Sequence, residues 1–280
     1  MQKFWSTTET SPSDIFSRYF LQNLKIPKML SKAIKKNSLR NACLHLRNRT
    51  ATGDEFTNLM DDYGVNLVLD VGANIGQYAR NLLRNGYRGR MVSFEPLPDA
   101  FETLEASKWS FPNWHVENFA LGAEDTTATF NVAGNSMSSS LQGMLDDHVE
   151  AAPESAYVSA IEIEVRRLDS VFDRYFSDGD RCYMKLDVQG HEHHTLAGAA
   201  GCLDQIVAIQ MELSMHPLYD GQLLWQESIE SMSEMGYELL TLCPGFKDRV
   251  TGVMLQADGI FVSRAAIAEK KAAVKRAQAA

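Results

Sequence analysis

Leu67-Val68-Leu69-Asp70-Val71-Gly72-Ala73-Asn74-Ile75-Gly76 is an apolar run, interrupted by one acid, that passes into a turn of small residues. Bounded in this way, the run reads as a buried strand. A second strand reads over 90–94 and ends at Phe94-Glu95-Pro96, which places an acid at its tip. In an α/β fold that combination holds an adenosine-bearing ligand. The first turn brings backbone N–H groups to it, and the strand-end acid accepts from the ribose hydroxyls. The turn here is Gly-Ala-Asn-Ile-Gly, without the Gly-x-Gly-x-x-Gly spacing that cradles a pyrophosphate. The expected cofactor therefore carries no phosphate, and S-adenosylmethionine is the common one of that kind. The same departure argues against a nicotinamide-dependent dehydrogenase.

Outward from this stretch, strands and helices alternate. Helix reads over 77–85 and 99–108, and strand over 114–119. Short strands read over 127–132 and 161–165, on either side of 134–157, a Gly, Ser, Asp and Met-rich segment expected to be a long functional loop. Strand follows over 182–188, helix over 191–200, strand over 206–213 and helix over 222–235, with strands over 237–242 and 259–262 closing the pattern. This order predicts an α/β protein with a mostly parallel, doubly wound sheet, whose ligands sit at the carboxyl ends of the strands. Three regions are expected: a helical basic extension over 1–60, a catalytic domain over 61–264, and a basic helical tail over 265–280.

Bulk properties bound the remaining choices. The 280 residues are 45% hydrophobic and 22% charged, as in an ordinary globule, and hold no apolar run long enough for a membrane helix. Met1 to Glu9 is polar, so no secretory signal is expected. Cys43, Cys182, Cys202 and Cys243 are scattered, which predicts reduced thiols in a cytoplasmic protein. The net charge of −9 is divided unevenly: residues 1–50 hold ten Lys/Arg against two acids, residues 264–280 hold five against one, and the body holds 12 against 33. An acidic body argues against nucleic acid as a ligand. The basic ends read as solvated helix faces, or as contacts to something anionic. The N-terminal helices, broken at Pro27, are expected to cap the pocket or form a homodimer contact. Peripheral docking on a membrane or on a lipid-linked substrate is the alternative.

Five motifs occur in order: Asp70-Val71-Gly72-Ala73-Asn74-Ile75-Gly76, Phe94-Glu95-Pro96, Asn118-Phe119-Ala120-Leu121-Gly122, Lys185-Leu186-Asp187-Val188-Gln189-Gly190-His191-Glu192 and Met211-Glu212-Leu213. Over residues 65–263 the chain resembles the FkbM family of S-adenosylmethionine-dependent methyltransferases. The resemblance implies a Rossmann-like seven-stranded sheet flanked by helices. It also implies O-methylation of hydroxyls on sugars, polyketides and related small molecules. N-methylation of an amino sugar or peptide is the second reading, and a cofactor-binding homologue without chemistry the third.

The motif residues suggest roles. Gly72 has no Cβ, so the methionine part of the cofactor can lie against the backbone. Asp70 is placed to organise the turn and attract the α-amino group, and Asn74 to bond the carboxylate, which the helix start after Gly76 also favours. Glu95 can accept from both ribose hydroxyls, while Asn118 and Ala120 are expected along the adenine edge. Ala73 and Pro96 flank these groups and are read with them. Methyl transfer to a hydroxyl needs an oriented nucleophile and a proton acceptor. Asp187, at a strand end, is expected to be central, with Lys185 beside it. His191 is a second candidate for the base, because an unperturbed imidazole titrates near 6.5. His193 and His194 are expected on the surface. Glu212, Glu192, His216 and Arg167 are candidate substrate contacts. Glu212 is alternatively a partner for Lys185 or Arg167, and Arg167 a salt-bridge partner for Asp169. No metal is expected, since the helix after Asp187 lacks the paired acids of a hard-cation site.

Overall fold

The computed structural model describes residues 59–108 and 111–279. The basic N-terminal helices expected before Arg49, and nearly all of the extension over 1–60, lie outside the described residues.

The opening stretch forms β1 (Leu67–Val71), every residue of which is buried. Its odd-numbered side chains enter one apolar cluster with Phe94, Phe172 and Met184, and Val68 enters another with Met91, Trp114 and Tyr183. Both faces of β1 are therefore covered, which is why its sequence is continuously apolar rather than alternating. The chain continues through α1 (Gln77–Arg84), β2 (Arg90–Phe94), α2 (Pro98–Lys108) and β3 (Trp114–Glu117). Helix α1 is held by Ala79, Leu82 and Leu83, spaced to share one face.

The segment after β3 leaves the main sheet. β4 (Ala120–Leu121), β5 (Thr126–Ala133) and β6 (Tyr157–Arg166) form a separate three-stranded sheet in the order β4-β6-β5. The two short strands read from the sequence over 127–132 and 161–165 thus pair with each other, antiparallel. Their alternation reflects a half-buried surface sheet, in which Phe130, Ile163 and Val165 face Leu97 and Ala100. The segment expected to be a loop over 134–157 contains α3 (Asp146–Ala151) and a 3₁₀ turn at Pro153–Ser155.

The chain re-enters the main sheet after α4 (Leu168–Val171). β7 (Cys182–Leu186), α5 (Glu192–Ala197), β8 (Ile206–Ser214), α6 (Trp225–Glu234), β9 (Tyr237–Pro244), β10 (Gln256–Ser263) and α7 (Arg264–Ala279) follow. The main sheet has seven strands in the order β3-β2-β1-β7-β8-β10-β9. It is parallel from β3 to β8, and β10 runs antiparallel to both neighbours. The strand order reverses beside β1, whose neighbours are β2 and β7. That is the switch point where α/β sheets bind ligands.

Candidate active site

The floor of the site is built where the β1, β2 and β7 backbones continue past their strands. Gly72 and Ala73 donate to the Phe94 carbonyl at 3.1 and 3.0 Å, and the Asp187 N–H donates to the Val71 carbonyl at 3.0 Å. Gly72 has φ 77°, and a Cβ there would stand 1.9 Å from the Asp187 carbonyl oxygen. Only glycine satisfies both conditions. Beneath this floor Asp70 is fully buried. Its Oδ2 accepts from Ser93 Oγ at 3.1 Å, and Ser93 in turn accepts from Trp114 Nε1 at 2.9 Å. Lys185 Nζ lies 3.5 Å from Asp70 and 3.0 Å from Asp187. Burial raises the Asp70 carboxyl and Lys185 opposes it. Burial pulls the Lys185 ammonium down, but Asp187 and then Asp70 outweigh this and hold it above its ordinary value. Lys185 is therefore a permanent cation bridging two strand ends. Asp70 and Lys185 do not line the cavity above; they set the position of Gly72 and Asp187, which do.

That cavity has a volume of about 370 Å³. One half is lined by strand-end residues, among them Gly72, Asn74, Glu95, Pro96 and Ala120. Glu95 is buried, and its two oxygens accept from the N–H groups of Asn74 at 2.7 Å and Leu97 at 2.8 Å. Burial pushes its carboxyl up to about 7, against those two N–H bonds. Each oxygen keeps a second lone pair for a hydroxyl donor. Asn118, expected along an adenine edge, instead donates Nδ2 to the Glu95 and Pro96 carbonyls at 2.9 and 3.2 Å. It anchors the backbone that aims Glu95 and is not among the cavity-lining residues. Ala73 and Gly76 belong to the turn but do not line this cavity. A phosphate-free adenosine cofactor fits this half, because a Cβ-free floor, a strand-end carboxylate with lone pairs to spare and a turn without the pyrophosphate spacing occur together.

The other half centres on a residue whose place in the sequence does not mark it out. Gln189 Nε2 donates to Asp187 Oδ1 at 2.8 Å and to Glu212 Oε2 at 2.9 Å, and its Oε1 accepts from the Tyr219 hydroxyl at 2.7 Å. Both N–H groups of the amide and its oxygen are thereby engaged. Gln256 Nε2 also donates to Glu212 Oε2, at 3.3 Å. Gln189 holds φ 54°, and its carbonyl accepts from Ser140 Oγ at 2.6 Å. Gly190 follows at φ 90°, where a Cβ would meet Tyr219 at 2.7 Å. Asn74, Ser136 and Gln189 are the non-glycine residues with positive φ among the described residues, and all three line this cavity. Such strain concentrates at binding sites.

His191 lines the cavity but does not have the titration expected of it. Burial, then His194 and His193, push its imidazole down to about 3, so it is neutral at physiological pH and a weak base. The His191 and His194 rings stack, with centroids 4.4 Å apart, and the His193 ring is tilted against His194 at 3.9 Å. His193 and His194 are half-buried rather than on the open surface. Glu192 turns away from the cavity: it is buried, its Oε1 accepts from the Gly190 N–H at 3.2 Å, and burial pushes its carboxyl up to about 7.

Two candidate substrate residues lie apart. Arg167 follows β6 in the small sheet, is half-exposed, and pairs with Asp169 at 3.5 Å and Asp125 at 3.7 Å. His216 is exposed on the loop after β8 and does not line the cavity. Glu212 does line it, but its hydrogen-bond donors are the amides of Gln189 and Gln256, not Lys185 or Arg167. The remaining wall comes from Ser136, Ser138, Ser139, His148, Glu154 and Ser155 of the expected loop segment, and from Phe246 and Arg249 of the β9–β10 connection. His148 is buried, with its ring 5.1 Å from Tyr219 and 5.6 Å from Phe246.

A mostly parallel sheet reversed at β1, with a glycine floor, an acid at the next strand end and no pyrophosphate spacing in the turn, is the arrangement of a class I S-adenosylmethionine-dependent methyltransferase. The methyltransferase FkbM domain matches residues 70–239, and the chain belongs to that family. It is similar to the 2-O-methyltransferase NoeI of Sinorhizobium fredii (strain NBRC 101917 / NGR234), at 27% identity over 164 residues, 56% of this chain and 67% of that protein. Among solved structures it is similar to fibrillarin of Aeropyrum pernix, crystallised with natively bound S-adenosyl-L-methionine. That match has 12% identity and a TM-score of 0.41, and covers 70% of this chain and 66% of that one. An rRNA methylase from Streptococcus thermophilus matches with 10% identity and a TM-score of 0.38, covering 71% and 87%. Among the described residues no helix is long and apolar enough to cross a membrane.

Proposed function

We propose that the chain is an O-methyltransferase acting on a hydroxyl of a sugar, glycan or related natural-product scaffold. The observation that carries this reading is the division of the cavity. The strand-end half is fitted to the cofactor, and the facing half is lined by small hydroxyl side chains together with Asp187, Gln189, Glu212 and Gln256. A wall rich in hydroxyls and carboxyls suits a polyhydroxylated acceptor. The similarity to the 2-O-methyltransferase NoeI supports methylation at oxygen.

When bound, S-adenosylmethionine supplies an activated methyl group on a sulfonium. Gly72, Asn74 and Glu95 are the residues that would hold it. The protein then has to orient the acceptor hydroxyl and take its proton. Asp187 is suited to taking the proton, because it lines the cavity while Lys185 and Gln189 hold its two oxygens. A positioned base of this kind contributes roughly 10²–10⁴-fold.

The test is incubation of the full chain with labelled S-adenosylmethionine and a panel of free sugars, glycosides and amino sugars. Label on ring hydroxyls, located by fragmentation of the product, is the expected result. Label confined to the amines of amino sugars would replace this reading with N-methylation.

A further inference from the structure

Two carboxyl groups face the acceptor half of the cavity, and a single amide nitrogen ties them together. Gln189 Nε2 bonds Asp187 Oδ1 and Glu212 Oε2 at 2.8 and 2.9 Å. In this orientation the amide oxygen accepts from the Tyr219 hydroxyl at 2.7 Å, which leaves the nitrogen for the two acids. The two acids differ in their other partners. Asp187 has the Lys185 ammonium at 3.0 Å. Glu212 has only amides, those of Gln189 and Gln256. The Lys185 charge is already shared between Asp187 and Asp70. A carboxylate at Glu212 would therefore lie among acids with no cation of its own, an arrangement proteins avoid by keeping one group neutral.

We propose that Gln189 sorts this pair, with Asp187 as the charged proton acceptor and Glu212 as a neutral hydrogen-bond donor, and that together they recognise a vicinal diol. One hydroxyl of the diol gives its proton to Asp187. The adjacent oxygen accepts a hydrogen bond from the Glu212 carboxyl, whose Oε2 is saturated by the two amides. The convergence supports this: both residues line the cavity and both side chains meet one amide nitrogen, so a single acceptor can reach the two carboxyl groups together. Glu212 thereby becomes a specificity-determining residue and Gln189 a positioning residue. The inference rests on the reading of Asp187 as the group that takes the hydroxyl proton. The titratable groups around Glu212 agree with it: burial first, then Asp187, Glu192 and Asp258 raise its carboxyl well above the ordinary range, opposed by Lys185.

Two measurements test the proposal. The first needs no acceptor. In the infrared difference spectrum of wild type minus Glu212→Gln at pH 7, a carboxylic-acid carbonyl band is expected. A carboxylate pair in its place would overturn the proposal even if sugar methylation is confirmed. The second uses the sugar found by the panel, together with its analogue lacking the hydroxyl next to the methylated one. Wild type should lose about 10–100-fold in kcat/KM on the deoxy analogue, the range expected for one unpaired buried donor. Glu212→Ala should show almost no difference between the two sugars, and Glu212→Gln, which keeps a neutral donor, should retain most of the discrimination. Equal turnover of both sugars by wild type would sink the diol assignment while leaving O-methylation intact. For Gln189→Glu, which keeps the shape and loses both donated bonds, kcat should fall about 100-fold. Affinity for S-adenosylhomocysteine should stay within about twofold, because the donor half of the cavity is untouched. A variant that keeps its kcat, or that loses S-adenosylhomocysteine with it, would show Gln189 to be no positioning residue.

Discussion

The Cα of Gly72 packs directly against the carbonyl of Asp187, so that a Cβ on Gly72 would stand 1.9 Å from that oxygen. Cofactor turn and candidate base are thus in backbone contact, and neither can move without the other.

Gly72→Ala should therefore be damaging at both ends. The φ of 77° and the overlap with backbone cannot be relieved by a side-chain rotation. A destabilisation of at least about 2–3 kcal/mol is expected, the cost of a strained backbone with a clash. Thermal melting should show it, and calorimetry should detect no S-adenosylhomocysteine binding.

Glu95 makes cofactor binding depend on pH. With its carboxyl at about 7 in the folded protein, it is substantially protonated in mildly acidic solution. A ribose that donates to it favours the ionised form, so affinity for S-adenosylhomocysteine should rise from pH 6 to pH 8. Stability moves the other way. A raised carboxyl stabilises the fold fully below its unfolded value, and that contribution is lost as pH climbs through about 7. Glu95→Gln, which cannot ionise, should start below wild type because its NH2 faces a backbone N–H, close that gap in melting temperature over that window, and lose the pH dependence of binding. Glu95→Ala should weaken binding about 10–100-fold, as expected for loss of charge-assisted hydrogen bonds.

Lys185 should behave as a structural cation rather than a reacting group. Lys185→Met leaves Asp70 buried without a counter-charge, at a cost of about 3–5 kcal/mol. Adding Asp70→Asn should restore at least half of the loss, because the uncompensated charge is then gone. Denaturant melts of the two single variants and the double variant measure the coupling. Additive losses would refute the pairing.

His191→Gln should leave the acidic limb of the pH–rate profile in place. The ring is pushed down to about 3, so it carries no proton at assay pH and has none to give up. Activity should fall less than about tenfold, below the usual effect of removing a general base. A displaced acidic limb would return His191 to the role of base.

Much of the donor half was legible in the sequence because its physics is local. A buried strand that ends in Asp70 and Gly72, and another that ends in Glu95, are readable as runs and breaks. The acceptor half depends on convergence. Gln189 matters because β7, β8 and the Tyr219 turn meet at its amide, and nothing in the residues beside it announces a positive φ. Glu212 was visible as a strand-end acid, but its partners, Gln189 and Gln256, come from elsewhere in the chain. His191 illustrates a different limit: its type suggested a base, and burial, which sequence position does not disclose, removed that property. Arg167 was read as a substrate contact because the strand before it alternates like any other; pairing puts that strand in the small sheet, and the alternative reading, a salt bridge to Asp169, is the one the structure has.

The small sheet and the segment that leaves it have a consequence for how such a protein can change. The donor half is made from the tips of central strands, where a substitution disturbs the core of the whole domain. Beyond Asp187, Gln189, Glu212 and Gln256, the facing wall comes from 134–157 and the β9–β10 connection, which lie outside the main sheet. Those two segments can drift while the methyl-donating chemistry stays fixed, so descendants of one enzyme can share a reaction and diverge in the molecule they decorate.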